Sequence, residues 1–256
     1  MDQFVLFGDS ITQQACCQDL GFAFAAALAD TYIRTLDVVN RGLSGYNSRQ
    51  ALQIVPRALP SPSQARVRFL AIFFGANDAR LPDTPGGPQQ HVPLDEYTAN
   101  LKSIVNHPVV LAHEGVKLIL ITPPPVDERM CLANDKANDP SYPDVIKRKA
   151  DITAKYAAAV RDIGREEGIK VIDFWSALIL HSGGSVEDAV PTGSMELPRN
   201  VKLQAFLRDG LHLSPAGYRV LFDELMSLIG QEYPEEMPDK LPFVLPRWDD
   251  EKAWRA

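Results

Sequence analysis

The chain has 256 residues, 45 % of them hydrophobic and 23 % charged, which is enough to bury a full core as one α/β domain and excludes intrinsic disorder as the main state. Its 26 Lys and Arg against 33 Asp and Glu leave a net charge of −7 and a pI near 5.3. That balance lacks the electrostatic footprint of a nucleic-acid or anionic-membrane binder, so the expected partners are small molecules or other proteins.

The first element expected is a strand over the unbroken apolar run Phe4 to Phe7, and further strand-length runs follow at Val38-Val39, Phe69 to Phe74, Leu118 to Ile121 and Val171-Ile172. Continuity rather than alternation marks strands buried on both faces, the signature of a parallel sheet covered by helices. Helical spacing fills the gaps. Leu94, Tyr97, Leu101, Ile104 and Val105 share one stripe, and so do Ile146, Ala150, Thr153, Ala157, Val160 and Gly164. A last helix carries Tyr218, Leu221, Phe222, Leu225, Leu228 and Ile229, opened by Ser214 as N-cap and Pro215 at the first helical position. Alternating strands and helices predict one open, doubly wound sheet of about five strands.

Three stretches read as long loops: Arg80 to Pro93, Thr122 to Pro143 and His181 to Arg199. Residues 232–256 form a tail rich in proline and acid that still carries Phe243, Trp248 and Trp254, which suggests docking on the body or on a second copy as a homodimer. These loops and the tail are expected to surround the substrate site.

Ligands of an open parallel sheet bind at the carboxyl ends of its strands. The residues that follow the runs are Gly8-Asp9-Ser10, then Asn40-Arg41-Gly42-Leu43-Ser44-Gly45, then Gly75-Ala76-Asn77-Asp78, then Thr122-Pro123-Pro124-Pro125. Asp209-Gly210-Leu211-His212 stands just ahead of the final helix. Each block alone is ordinary turn chemistry. Together they supply the parts of an acyl-transfer site: Ser10 as hydroxyl nucleophile, His212 as proton acceptor, Asp209 as the carboxylate that fixes the imidazole, and donors at Gly45 and Asn77 for an oxyanion. The Gly-x-Ser-x-Gly elbow of α/β-hydrolases is absent, so another serine-hydrolase architecture is required.

Gly8-Asp9-Ser10-Ile11-Thr12, Arg41-Gly42-Leu43-Ser44-Gly45, Gly75-Ala76-Asn77-Asp78 and Asp209 to Ser214 resemble, in order, the blocks of the SGNH (GDSL-type) hydrolases. Within that superfamily the chain resembles the isoamyl acetate-hydrolysing esterases through Ile121 to Pro125 and the region Leu241 to Trp248. The resemblance implies a three-layer α/β/α, flavodoxin-like fold with a central, mostly parallel five-stranded sheet. It implies Ser10 as nucleophile, His212 as base and then acid, and Asp209 as orienting partner. It also implies an oxyanion hole from the Ser10 and Gly45 backbone N–H groups and the Asn77 amide, with Gly42 as runner-up to Gly45. The expected activity is hydrolysis of small acetate-type esters without metal or cofactor. A carbohydrate O-deacetylase, a thioesterase and a lysophospholipase share the chemistry, and a non-catalytic binding relative is the alternative from another class.

Other residues are weighed beside these. Pro123, Asp127 and Glu128 are placed at the border of the site, against a solvated loop. Asp9 is expected to serve turn hydrogen bonding rather than the triad. Lys147-Arg148-Lys149 is expected to be the charged, exposed face of a helix. His91, His107, His113 and His181 are scattered without ligand spacing and are expected mostly to be solvated. Cys16, Cys17 and Cys131 form neither a paired disulfide framework nor a metal pattern, and they suit packing better than nucleophilic roles. No apolar run approaches the ~18 residues of a membrane span, and no signal-peptide pattern precedes Phe4. A cytoplasmic location is therefore expected, with a secreted chain whose signal has been removed as the alternative.

Overall fold

The computed structural model describes residues 1–255, and Ala256, the end of the tail, lies outside the described residues. Strand β1 (Asp2–Gly8) leads into α1 (Ser10–Gln14) and α2 (Phe24–Thr31), followed by β2 (Leu36–Gly42), α3 (Ser48–Ala58) and β3 (Val67–Phe73). Next come α4 (Leu94–Val105), α5 (Pro108–Leu111), β4 (Lys117–Ile121), α6 (Glu128–Asn138), α7 (Ala150–Glu167) and β5 (Lys170–Ile172). Helices α8 (Phe174–His181), α9 (Val201–Phe206) and α10 (Pro215–Glu232) complete the body.

All five strands pair in parallel in the order β2-β1-β3-β4-β5. Side chains of successive strand residues point to opposite faces, so each apolar run feeds two cores. Phe4 and Leu6 of β1, with Phe69 and Phe73 of β3, pack under α2, α8 and α10. Val5 and Phe7, with Leu70 and Ile72, pack under α3, α4 and α7. The result is three layers, α/β/α, and the continuous runs of the sequence are strands covered on both sides.

The final helix starts as the sequence predicts: the Ser214 side chain accepts a hydrogen bond from the Gly217 N–H, and Pro215 occupies the first turn. Three expectations need correction. Thr122 to Pro143 is not all loop, because α6 lies within it; its sequence ERMCLANDKAN buries only Glu128, Cys131 and Asp135 and so shows no apolar stripe. Lys147-Arg148-Lys149 is not a helical face, because α7 begins at Ala150 and Arg148 is buried. The segment is held extended instead, with Arg148 bridged antiparallel to Arg80 and the Leu81 N–H bonded to the Lys147 carbonyl.

The tail is the third. Pro242, Phe243 and Val244 lie not at the strand ends that carry the blocks but at the opposite end of the sheet, beside Asp2, Thr35 and Arg66, where the strands begin. The Arg34 guanidinium lies 4.1 Å from the centre of the Phe243 ring and donates to the Leu245 and Pro246 carbonyls. Trp248 stays 85 % exposed, so it is not part of the core. Among the described residues no helix is long and apolar enough to cross a membrane.

Gly42 ends β2 where the α1 backbone crosses it: a Cβ there would sit 1.9 Å from the Gln13 nitrogen. Gly42→Ala is therefore expected to destabilise the fold by about 2 kcal/mol or more, measured by urea unfolding.

Candidate active site

In this strand order β1 is followed by a neighbour on one side and β3 lies on the other, so the connections diverge and leave a crevice between the carboxyl ends of β1 and β3. Ser10 follows β1 and Asn77 follows β3. Both line a cleft of about 230 Å³ together with Gly45, Asp209 and His212.

Ser10 is the first residue of α1, whose N-cap is Asp9; the Asp9 carboxylate accepts the Ile11 N–H at 2.9 Å. This is the turn role expected of Asp9. The loop after β2 is fastened to α1 by several bonds. The Asn40 amide donates to the Thr12 carbonyl at 2.7 Å, and the Gln13 side chain accepts the Ser44 N–H at 2.8 Å. Gly45 then turns with φ +82°, a conformation favouring glycine, and reaches the cleft, whereas Gly42 is packed against the Gln13 backbone. The structure thus places Gly45 rather than Gly42 in the cleft.

Asp209 and His212 form one compact turn. One Asp209 oxygen accepts the Leu211 N–H at 3.0 Å and the His212 N–H at 2.8 Å, while the other lies 2.6 Å from His212 Nδ1. His212 Nε2 lies 2.9 Å from Ser10 Oγ, so the order Asp209, His212, Ser10 is continuous. Burial alone raises the Asp209 pKa, but the bond from the His212 ring and the two backbone N–H groups outweigh it and hold the carboxyl well below the usual carboxylate range. Asp209 is therefore ionised at working pH, and the ring nitrogen facing it carries a proton.

The remaining border residues lie elsewhere. Asp127 caps α6, accepts from Gln204, and gives its N–H to the Gly210 carbonyl at 2.9 Å, so it braces the Asp209–His212 turn from behind. Buried Glu128 accepts the Ala150 and Met195 N–H groups at 2.8 Å each, tying α7 and the loop after α8 to α6. Pro123 packs beside Gly75. None of the three lines the cleft. Of the long loops, Arg80 to Pro93 contributes Arg80, Gly86 and Gln90 to its wall, and α6 contributes Cys131, Asn134 and Asp135.

The sequence reading missed Arg148 as a wall residue. Its guanidinium donates to the Ala76 carbonyl and to Asn77 Oδ1, both at 3.1 Å. Nothing in a basic run distinguishes this residue from a solvated one. Lys147 pairs with Asp135, and Lys149 alone of the three is exposed. His113 also departs from expectation: it is buried, accepting the Val67 N–H and donating to the Pro60 carbonyl. Cys131 sits in the wall with its thiol pushed up to about 12 by burial, so it is a poor nucleophile. Among the described residues no three His, Cys, Asp or Glu side chains gather as a metal site.

A sequence profile of the GDSL-like lipase/acylhydrolase family matches residues 6–220. The chain belongs to that family. It is 35 % identical over 254 residues to the isoamyl acetate-hydrolyzing esterase 1 homolog of Homo sapiens, covering 97 % of this chain and 87 % of that one. A GDSL esterase/lipase of Arabidopsis thaliana is likewise 35 % identical, covering 94 % and 91 %. Among solved structures, a lipase/acylhydrolase from Enterococcus faecalis shares the fold with a TM-score of 0.60 at 21 % identity, over 96 % of this chain and all of that one. An acetylxylan esterase from Geobacillus stearothermophilus does so with a TM-score of 0.59 at 23 % identity, over 96 % and 97 %. The GDSL hydrolase described here is thus a carboxylic ester hydrolase, and Ser10, Gly45, Asn77, Asp209 and His212, which line the cleft, all lie within the matched residues.

Two buried carboxyls beside the site are strained electrostatically. Burial raises Asp9 to about 7 despite its bond from Ile11, and raises Asp78 to about 6 despite its bonds from Ser48. A carboxyl whose folded pKa lies above its unfolded value favours folding when protonated, and that contribution is lost as pH rises through the folded pKa. Asp9→Asn keeps the acceptor for Ile11 without the ionisation. The variant is expected to match the wild type in thermal stability near pH 4 and to exceed it by pH 8.

Proposed function

We propose that this GDSL hydrolase is a serine esterase that forms an acyl-enzyme on Ser10. The observation that carries this reading is the 2.9 Å contact between Ser10 Oγ and His212 Nε2, with Asp209 on the far ring nitrogen. His212 takes the Ser10 proton as Oγ adds to the ester carbonyl. Asp209 holds the ring in the tautomer that leaves Nε2 free and stabilises the imidazolium that forms. The carbonyl oxygen becomes an oxyanion facing the Ser10 N–H, the Gly45 N–H and the Asn77 amide. Collapse expels the alcohol, which receives its proton from Nε2. Water then adds to the acyl-enzyme with His212 again as base, and Ser10 leaves with the proton returned.

The substrate is proposed to be a small, acetate-type ester. A cleft of about 230 Å³ is small beside the ~300–1,000 Å³ of most ligand pockets, which disfavours a long acyl chain. The named human relative is an isoamyl acetate-hydrolyzing esterase homolog, in keeping with that class. One observation favours a second reading, a carbohydrate O-deacetylase. Apart from Leu211, the wall offers polar or small groups such as Arg80, Gln90, Asn134 and Lys147, which suit an acetylated hydrophilic alcohol. A cytoplasmic setting is part of the proposal and is supported by three cysteines that remain free thiols.

Turnover of p-nitrophenyl acetate is expected to vanish in Ser10→Ala, and undiminished turnover there would sink the assignment. Asn77→Ala is expected to lower kcat by ~10²–10³-fold. Because His212 must be neutral to accept the proton, kcat/KM is expected to decline on acidification. A panel of p-nitrophenyl acetate, butyrate and octanoate is expected to show falling kcat/KM with chain length. Acetylated xylose measured beside isoamyl acetate decides between the two substrate readings.

A further inference from the structure

The Asn77 amide has two donor hydrogens and an acceptor oxygen, and flipping it by half a turn exchanges them. Its surroundings allow one orientation. Oδ1 faces the Arg148 guanidinium at 3.1 Å, and Nδ2 faces the Tyr46 carbonyl at 2.9 Å. A guanidinium only donates and a carbonyl only accepts, so the flipped amide would set donor against donor and acceptor against acceptor. With both outer positions taken, one Nδ2 hydrogen remains for the cleft, where Asn77 and Ser10 share the wall.

Arg148 is itself fixed. It is buried, its Nε donates to the Ala76 carbonyl, and its backbone is bridged to Arg80. The Glu128 carboxylate holds the Ala150 N–H two residues later, anchoring the start of α7 next to it. Among the described residues no carboxylate is hydrogen-bonded or ion-paired to Arg148, and Asp9 and Asp135 act on it only through space. A cation bonded to an amide oxygen draws electron density from that amide and makes its N–H groups stronger donors.

We infer that Arg148 is a positioning residue for catalysis, which holds the Asn77 amide with one N–H free for the oxyanion and strengthens that N–H through its positive charge. The inference rests on the serine-esterase reading above and adds a member to it that no family block contains. The guanidinium acts through Asn77, not on the ester, so its removal affects the transition state and leaves ground-state binding of a neutral ester almost unchanged.

The test is a double-mutant cycle on p-nitrophenyl acetate with Arg148→Met, Asn77→Ala and the pair. Arg148→Met is expected to lower kcat roughly 10–10²-fold with KM changed less than ~3-fold. In the Asn77→Ala background the same change is expected to cost no more than ~3-fold, because the amide it acts through is gone. Losses that multiply, or a KM that rises while kcat holds, overturn the inference. Should Arg148→Met fail to fold, the cycle is run with Arg148→Lys, which keeps the charge but loses the planar fork, and is read by the same criterion. Ser10→Ala in the same assay separates the two levels. A rate that survives loss of Ser10 removes the serine-esterase reading itself, whereas a Ser10-dependent rate without coupling between Asn77 and Arg148 removes only the role of Arg148.

Discussion

Everything in the site depends on the interior position of β1, hydrogen-bonded in parallel to β2 on one edge and to β3 on the other. Parallel pairing brings the carboxyl ends of all the strands to one rim, and the reversal of winding about β1 opens a gap there between β1 and β3. Into that gap the chain sends the loops that follow β1, β2 and β3 and, from late in the sequence, the turn before α10. None of these loops has to find its neighbours independently. The Leu43 N–H, for example, still bonds to the Gly8 carbonyl at 2.9 Å, extending the ladder one step beyond the strands.

The rim concentrates charge that a core would reject. Asp9 and Asp78 are buried with raised pKa values, and the Arg148 guanidinium is buried with its pKa lowered by desolvation. Isolated, each would be costly; Asp9 and Arg148 favour each other's charged form, and His212 also draws Asp9 down, whereas Asp78 pushes Asp9 further up. The immediate surroundings of Ser10 are therefore polar rather than apolar, as the residues lining the cleft also are.

The sheet and the residues that meet at the cleft were legible in the sequence because both rest on short-range signals: strands as apolar runs, cleft residues as the turns that follow them. What escaped has no such signal. Helix α6 is recognised only through contacts made by Glu128 and Asp127, polar residues whose partners at Ala150, Met195 and Gly210 lie 22 to 83 positions away. Arg148 meets Asn77 across 71 residues, and its neighbours Lys147 and Lys149 look the same in a sequence. The aromatic residues of the tail do not say which surface would receive them: Phe243 meets Arg34, whereas Trp248 and Trp254 stay exposed. Arg34, which receives Phe243, has no feature that marks it as a receptor.

Asp209 and His212 stand three positions apart in one turn, whereas the contact from His212 to Ser10 spans 202 residues. The Tyr218 hydroxyl, bonded to the Ile11 carbonyl at 2.6 Å over 207 residues, closes the same gap one turn into α10. The first strand and its serine leave the ribosome long before the histidine exists. Under the mechanism proposed above, Ser10 stays unarmed until the turn before α10 has been made and α10 seats against α1. Activity would then report directly that segments about 200 residues apart have met.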